Sequence, residues 1–252
     1  MKKKSLPGKF SMLIRSIIFA IVMPVFTIFY SLICLASYPL PMRYGCRVVM
    51  GWSRSIVWFL KVICHIDYHV TGLENIPHDR NGIVMSKHQS AWETFYLPPQ
   101  FNQTAIILKR ELYWVPFFGW GMLACRPIAI NRSNTSSAMA QIISKGTKYL
   151  AAGRWILVFP EGTRISPGHA GKYRLGGARL AAETGYPVLP VAHNAGCYWS
   201  KRKFIKTPGT IKLVYGPLIE SKGRSAEEII ELTKTWIENT MATIDPHYMH
   251  KS

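Results

Sequence analysis

Acidic residues are scarce in this chain of 252 residues, which has 13 Asp and Glu against 31 Lys and Arg and a formal net charge of +18. The first acidic residue is Asp67, so nine basic residues precede any carboxylate side chain. A chain this basic typically meets a polyanion, either a nucleic acid or an anionic membrane surface. The sequence contains no nucleic-acid-binding motif, and we expect no nucleic acid partner.

Paired cysteines are also lacking. The chain has five cysteines but no CxxC pair and no metal-ligand spacing. They are Cys34, Cys46, Cys64, Cys125 and Cys197. An odd, scattered set of this kind predicts reduced, buried thiols in a cytoplasmic domain. We expect neither a metal ion nor a bound cofactor.

Charge is absent from residues 16–42, which are mostly apolar. Residues 16–38 alone would form a helix about 34 Å long, enough for the hydrocarbon core of a bilayer, which is about 30 Å thick. A cleaved signal peptide fits poorly, because the apolar region is too long and no clear small-residue cleavage site follows it. The polyanion that this chain meets is therefore predicted to be a membrane.

Basic residues lie on both sides of the uncharged segment. The lysine-rich start MKKK favours a cytoplasmic N-terminus, and a single span would then place the following residues outside the cytoplasm. However, Arg43 and Arg47 follow the segment, and Pro24 in its middle could kink or break a helix. These features favour a helix that dips into one leaflet and returns, or lies in the interface, while a full span stays open.

Residues 48–66 support a membrane-embedded element. Apolar residues recur there at roughly helical spacing, and Arg54 and Lys61 fall elsewhere on the helical wheel. The apolar residues are Val48, Val49, Trp52, Ile56, Phe59, Leu60 and Ile63. The alternative is an ordinary helix of the protein core. We predict membrane-anchoring helices over residues 1–66 and a second domain over residues 67–252.

From Asp67 onward, short apolar runs alternate with longer stretches of helical pattern. The predicted strands are residues 82–86, 104–108, 127–130, 155–159, 187–192 and 210–215. The predicted helices are residues 90–97, 134–151, 176–184 and 225–243. Ser225 is the predicted N-cap of the last helix, before Glu228. This alternation predicts an α/β fold with a mainly parallel sheet.

Charged or titratable residues follow four of the predicted strands. They are His88, Lys109, Arg132 and residues 161–164. Ligands bind at the carboxyl edge of open α/β sheets, although strand ends are solvated and carry polar residues in any case. Three cations, Lys109, Arg132 and Arg164, near a histidine predict a phosphate site beside a base. On a membrane-bound protein, such a site indicates chemistry on a phosphorylated lipid.

The stretch KHQSAWET at residues 87–94 has two interpretations. Ser90 and Glu93 fit a capping box, in which each side chain satisfies a backbone N–H of the other. Alternatively, His88 is a base and Glu93 is its carboxylate partner. The two side chains meet only if His88 lies in the turn before a helix and Glu93 lies in its first turn. Glu93 would then accept the Nδ1 proton of His88 and leave Nε2 free to deprotonate a substrate hydroxyl.

These segments resemble the motifs of the 1-acylglycerol-3-phosphate acyltransferase family. KHQSAWET is similar to the His-x4-Asp motif of that family, and FPEGTR at residues 159–164 matches its second signature. The remaining similar segments are KREL and VPFFG within residues 109–119, PIAINR ending at Arg132, and YPVLPVA at residues 186–192. The resemblance covers residues 80–192 in the same order. Glu93 replaces the usual Asp, and Lys87 stands where an Asn often precedes the histidine.

The resemblance implies transfer of a fatty acyl group from an acyl thioester to the sn-2 hydroxyl of lysophosphatidic acid, which forms phosphatidic acid in phospholipid biosynthesis. It implies an αβ acyltransferase domain preceded by a membrane-embedded helical element. The expected partners are membrane lipids, lysophosphatidic acid, and acyl-CoA or acyl carrier protein as the donor. The expected location is a bacterial-type inner membrane, with the active domain facing the cytoplasm.

The resemblance also implies roles for individual residues. It implies His88 as the general base and Glu93 as its partner. The implied phosphate ligands are Lys109, Arg132 and Arg164. The residues implied to bind the rest of the substrate molecule are Glu161, Gly162 and Thr163. Backbone N–H groups near His88 or Gly162 are candidate oxyanion donors. The alternatives are acylation of another lysolipid or lipid precursor, hydrolysis of the thioester, and a non-catalytic membrane-binding module.

Overall fold

A seven-stranded sheet forms the centre of the molecule, in a computed structural model that describes residues 8–131 and 135–248. The strands are β1 (Ile66–Thr71), β2 (Ile83–Ser86), β3 (Ala105–Lys109), β4 (Ile128–Ile130), β5 (Ile156–Val158), β6 (Val188–His193) and β7 (Gly209–Tyr215). Their order in the sheet is β1-β7-β6-β2-β5-β3-β4. All neighbouring strands are parallel except β6 and β7. The predicted α/β fold with a mainly parallel sheet is therefore confirmed.

Seven α-helices accompany the sheet in the described part of the chain. They are α1 (Lys9–Ala36), α2 (Met42–Cys64), α3 (Trp92–Tyr96), α4 (Phe118–Met122), α5 (Thr135–Ala151), α6 (Gly176–Thr184) and α7 (Ala226–Ile244). The predicted N-cap of α7 is confirmed, and it is part of a capping box, because Ser225 and Glu228 each accept the backbone N–H of the other. The longer predicted helices agree with α5, α6 and α7 to within about two residues at their ends.

Alternate residues of the central strands enter two apolar clusters on opposite faces of the sheet. Val84 of β2 lies in a cluster with side chains of α1, α2 and α3. Its neighbours Ile83 and Met85 lie in a second cluster with side chains of α5, α6 and α7. All four residues of β2 are buried. Helices thus cover both faces, which explains why the central strands are continuous apolar runs.

The N-terminal helices are part of the same core. Ile56 and Leu60 of α2 are fully buried in the cluster with the sheet. The indole N–H of Trp52 donates to Thr27 Oγ1 of α1 at 3.1 Å, and the backbone N–H of Lys206 donates to the hydroxyl of Ser16 at 2.9 Å. The apolar stripe of α2 therefore faces the core, which was the alternative interpretation of residues 48–66. The division of the chain after residue 66 stays a prediction.

Helix α1 is continuous over 28 residues although Pro24 lies inside it, so the proline does not break the helix. Within residues 8–131 and 135–248, α1 is the one helix long and apolar enough to cross a membrane by length and composition. Large apolar side chains are exposed along it, including Phe10 at 75% and Phe29 at 66%. Apolar surface of this extent is typical of a segment that contacts a membrane or another protein.

Candidate active site

Two loops at the carboxyl edge of the sheet build the site. The first follows β2 and carries His88, and the second follows β5 and carries the sequence FPEGTR. The backbone N–H of Ile165 in the second loop donates to the carbonyl of His88 at 2.8 Å, which fixes the two loops to each other. The aromatic ring of Phe159 stacks on the His88 ring with centroids 4.2 Å apart.

Glu93 holds the His88 ring from the first turn of α3. His88 Nδ1 lies 2.9 Å from Glu93 Oε1, and the same oxygen accepts the backbone N–H groups of Gln89 and Ser90 at 2.9 and 2.8 Å. Because a carboxylate can only accept here, Nδ1 carries the proton and Nε2 keeps its lone pair. The structure thus brings His88 and Glu93 together in the arrangement that a base requires.

The capping-box interpretation of the same stretch is half correct. Glu93 accepts the N–H of Ser90, as the capping box requires. The Ser90 hydroxyl instead accepts the N–H of Trp92 at 3.2 Å and donates to the carbonyl of Trp199 at 2.7 Å. Glu93 therefore serves the helix start and His88 at once.

A second histidine lies behind Glu93. The Nε2 atom of His193, a fully buried residue of β6, is 3.8 Å from Glu93 Oε2. Its Nε2–H donates to the carbonyl of Lys87 at 2.8 Å, and its Nδ1 accepts the N–H of Ala195 at 3.3 Å. This pairing describes a neutral imidazole. Sequence reasoning assigned His193 no role, because it has no acidic neighbour along the chain.

Burial perturbs both members of this buried pair. Burial lowers the pKa of His193, with Glu93 opposing the shift. Burial alone would raise the pKa of Glu93, but His193, His88 and the N–H of Ser90 outweigh it and lower that pKa below its ordinary value. Glu93 is therefore an anion at neutral pH, next to the ring that must accept a proton.

Glu161 lies beneath His88 and not in the open site. Its Oε2 accepts the backbone N–H of His88 at 2.8 Å, and its Oε1 pairs with Lys87 Nζ at 2.8 Å. Both side chains of the ion pair are fully buried. Lys87 Nζ also contacts Glu238 Oε1 of α7 at 2.9 Å. The expectation that Glu161 binds substrate is not supported by this placement, because its carboxylate points into the protein, where burial raises its pKa against the opposing effect of Lys87.

Two tyrosines complete this buried network. The hydroxyl of Tyr173 donates to Glu238 Oε1 at 2.7 Å, and the hydroxyl of Tyr248 donates to Glu238 Oε2. The last helix is thereby connected through Lys87 and Glu161 to the backbone of His88. Sequence reasoning missed Glu238, because α7 lies outside the segments that carry the motifs.

A cavity of about 570 Å³, which we call the His88 cavity, opens in front of the histidine. The polar side chains on its wall are Lys109, Arg164, Lys201, Thr163, Thr94, Thr104, Ser53 and His88. Its apolar wall includes Met23 of α1, Met50 of α2 and Leu108 of β3. The described lining residues include no Asp or Glu, so the cavity carries positive charge beside a base and continues to the N-terminal helices.

The expected phosphate ligands are partly accounted for. Lys109 and Arg164 line the His88 cavity, as expected, and Gly162 and Thr163 line it as well. Arg132 lies outside the described residues. Lys201 joins them from the loop before β7, and its Nζ donates to Thr163 Oγ1 at 3.3 Å. No motif marked Lys201, since it lies well outside the matched segments.

Two further expectations concern oxyanion donors and metals. The N–H groups of His88 and Gly162 both donate within the protein, to Glu161 and to the carbonyl of Phe159, so neither is free for an oxyanion. In the part of the chain that the structure describes, no group of three or more His, Cys, Asp or Glu residues could hold a metal ion.

Comparison with known proteins shows the family to which the chain belongs. A family model described as Acyltransferase matches residues 67–194. The chain is 47% identical over 211 residues to a 1-acyl-sn-glycerol-3-phosphate acyltransferase of Pseudomonas aeruginosa, and these residues make up 82% of each chain. It is 30% identical to the protein of that name from Borreliella burgdorferi, over 76% of this chain and 73% of that protein.

A solved structure has the same fold. The crystal structure of the 1-acyl-sn-glycerophosphate (LPA) acyltransferase PlsC from Thermotoga maritima matches with a TM-score of 0.79 and 25% sequence identity, over 96% of this chain and 99% of that one. The match therefore includes the N-terminal helices as well as the sheet. By sequence and by fold, this chain belongs to the 1-acyl-sn-glycerol-3-phosphate acyltransferase family.

Proposed function

We propose that this protein transfers a fatty acyl group from an acyl thioester to the sn-2 hydroxyl of lysophosphatidic acid and so forms phosphatidic acid. The observation that carries the proposal is the position of His88. Its ring is held by Glu93 through Nδ1 and lines a cavity that also contains Lys109 and Arg164. A base, an anion site and an apolar wall then meet in one space, which suits a lipid with a phosphate and a free hydroxyl.

The reaction follows from this geometry. His88 Nε2 takes the proton of the sn-2 hydroxyl as its oxygen attacks the thioester carbonyl carbon. The resulting tetrahedral intermediate carries one negative charge on the former carbonyl oxygen. When the intermediate collapses, the C–S bond breaks and the new ester remains. The leaving sulfur accepts from His88 the proton that came from the sn-2 hydroxyl. Glu93 stabilises the imidazolium that exists between these two proton transfers.

The phosphate of the acceptor is assigned to Lys109, Arg164 and Lys201. Arginine binds phosphate through a planar fork, and lysine contributes a point charge. Arg132, which the resemblance also implies, stays part of the proposal. The apolar wall formed with α1 and α2 suits an acyl chain. An anchored site of this kind receives the acceptor directly from the membrane.

Acyl transfer in mixed micelles tests the proposal. Labelled acyl thioester and a panel of lysolipids are supplied to the wild type, to His88→Ala and to His69→Ala, which removes an exposed histidine of β1. We expect phosphatidic acid from the wild type and His69→Ala, and a loss of about 10²–10⁴ in rate for His88→Ala. Transfer to a lysolipid without the phosphomonoester would show that lysophosphatidic acid is not the required acceptor. Release of fatty acid without any acceptor would indicate a hydrolase.

We also propose that the protein is a bacterial-type inner-membrane protein whose active domain faces the cytoplasm. The five free cysteines support this orientation, because free thiols are typical of a reducing compartment. Exposed Lys222 is a suitable site for a reporter cysteine, as Lys222→Cys. A membrane-impermeant maleimide should label this cysteine in spheroplasts only after the membrane is permeabilised. Labelling of intact spheroplasts would place the domain on the outer side.

A further inference from the structure

A second cavity, of about 410 Å³, lies on the other side of the loop that follows β5. We call it the α6 cavity, because the first residues of α6 form part of its wall. It shares Ile107, Phe159 and Gly162 with the His88 cavity. The two spaces are therefore separated by little more than one backbone segment, and that segment contains Gly162.

Three cations stand on the wall of the α6 cavity. Lys172, Arg174 and Arg179 are exposed, and no Asp or Glu is among its described lining residues. In the described part of the chain, none of the three forms an ion pair with a carboxylate. Cations gathered without counter-charges leave a positive potential that favours an anionic ligand.

Arg174 stands at the boundary between the two cavities. Its backbone N–H donates to the carbonyl of Pro160 at 2.9 Å. Gly162 has φ of +68°, and a Cβ atom there would lie 2.8 Å from Arg174 Nε. The Arg174 side chain thus crosses directly over Gly162, one of the three residues that both cavities share, and any side chain at position 162 would displace it.

The remaining wall is apolar. It includes Ile130, Ile142 and Val158, which come from β4, α5 and β5. A ligand that fits this space has an anionic end for the exposed cations and an uncharged arm for the apolar surface. It must also be able to deliver its other end past Gly162 toward His88.

We propose that the α6 cavity binds the phosphorylated carrier of the acyl donor, with the phosphate at Lys172, Arg174 and Arg179 and the thioester passing Gly162 to reach His88. This inference rests on the proposed function, because it takes acyl thioester as the second substrate. Both substrates of that reaction carry phosphate, and they must be bound together. Lys109, Arg164 and Lys201 serve the acceptor in the His88 cavity, so the donor requires a separate set of cations.

The phosphate in question is common to two carriers. A phosphopantetheine arm ends in the thiol that bears the acyl group, and it occurs both in coenzyme A and on acyl carrier protein. Coenzyme A has further phosphates on its nucleotide, and acyl carrier protein presents an acidic protein surface. Kinetics with each donor distinguish these sources.

The test compares two triple variants that each remove three positive charges. The first is Lys172→Gln/Arg174→Gln/Arg179→Gln. The control is Lys148→Gln/Lys222→Gln/Arg224→Gln, whose residues are exposed and absent from both cavities. A double variant, Lys172→Gln/Arg179→Gln, keeps Arg174 over Gly162 in case the triple variant does not fold. KM is measured separately for acyl-CoA, acyl carrier protein, acyl-pantetheine and lysophosphatidic acid.

We expect the first triple variant to raise KM for a phosphorylated donor by about tenfold, which corresponds to about 1.4 kcal/mol. KM for lysophosphatidic acid should stay at its wild-type value, and so should KM for acyl-pantetheine, which has no phosphate. The control variant should change none of the four. In the wild type, added salt should raise KM for the phosphorylated donor more than in the first variant, since exposed charges are screened.

The results separate the possible sources. A rise in KM for acyl-CoA alone assigns the three cations to coenzyme A. A rise in KM for the acylated acyl carrier protein assigns them to the arm of that protein. Unchanged KM for both donors, in a variant that folds, overturns the inference, and so does an equal rise for acyl-pantetheine. A wild-type protein that transfers acyl groups from none of these donors contradicts the proposed function instead.

Discussion

Replacing Glu93 with Gln isolates the contribution of its negative charge. The amide oxygen can still accept from His88 Nδ1 and from the N–H groups of Gln89 and Ser90, which now converge on one carboxylate oxygen. The size and the hydrogen-bonding oxygen are retained, and the charge is lost. Glu93→Ala would be less informative, since each of three donors left without a partner costs about 1–3 kcal/mol of stability.

The expected loss follows from the distance. Opposite unit charges separated by 2.9 Å, the distance between His88 Nδ1 and Glu93 Oε1, attract each other by about 6 kcal/mol at an effective dielectric constant of about 20. His88 is charged only while it holds the proton of the substrate. If about half of that charge exists in the transition state, Glu93→Gln raises the barrier by about 3 kcal/mol, or roughly 100-fold in kcat.

Glu228→Gln is a matched control, because Glu228 also accepts the N–H of a serine three residues earlier but has no histidine partner. The assay measures kcat, both KM values and thermal unfolding for the two variants. We expect Glu228→Gln to keep wild-type kcat and Glu93→Gln to lose kcat while retaining KM. A Glu93→Gln enzyme within about threefold of wild-type kcat would falsify the assignment of Glu93 as the charge that supports His88.

Three other predictions follow from the buried and charged groups. Lys109→Ala should raise KM for lysophosphatidic acid about tenfold with little change in kcat, because it removes a phosphate contact; an unchanged acceptor KM contradicts this role. Lys87→Met should cost about 3–5 kcal/mol of unfolding free energy in urea, since it leaves the buried Glu161 and the partly buried Glu238 without their cation. The loss should be larger at pH 8 than at pH 5, and wild-type stability at both would refute it. Because the pKa of His193 is lowered, its stabilising contribution is complete above its ordinary pKa of about 6.5 and is lost as pH falls through the lowered value. The wild type should therefore lose more stability than His193→Gln on acidification below pH 6.5, and parallel curves would exclude this origin.

Most of the sheet could be predicted because its central strands are buried on both faces. Strands β2, β5 and β6 read as uninterrupted apolar runs for that reason. Strand β1 was missed, since only Ile66 among its six residues is buried and no apolar run marks it. The antiparallel pairing of β6 with β7 could not be predicted either, because an apolar run in the sequence does not set the direction in which its strand joins the sheet.

The contacts of the candidate site could likewise be predicted only in part. Local sequence indicated how His88 and Glu93 could meet, because both lie close to the start of the predicted helix that became α3. His193 and Glu238 could not be found, since their contacts with Glu93 and Lys87 join residues far apart in the chain. The inward direction of the Glu161 side chain could not be predicted, because a motif position alone does not reveal which way a side chain points.

The pairing of β1 with β7 has a consequence for how the protein is made. β1 lies at the edge of the sheet, directly after α2, and its hydrogen-bonding partner belongs to the last strand of the chain. During synthesis, α1 and α2 therefore leave the ribosome long before the strands and loops that cover the buried face of α2. Until then an unpaired strand and an apolar helix face remain uncovered, and both are surfaces on which chains aggregate. The strand order of the sheet thus keeps the first third of the chain without its packing partners until the last strand has been translated.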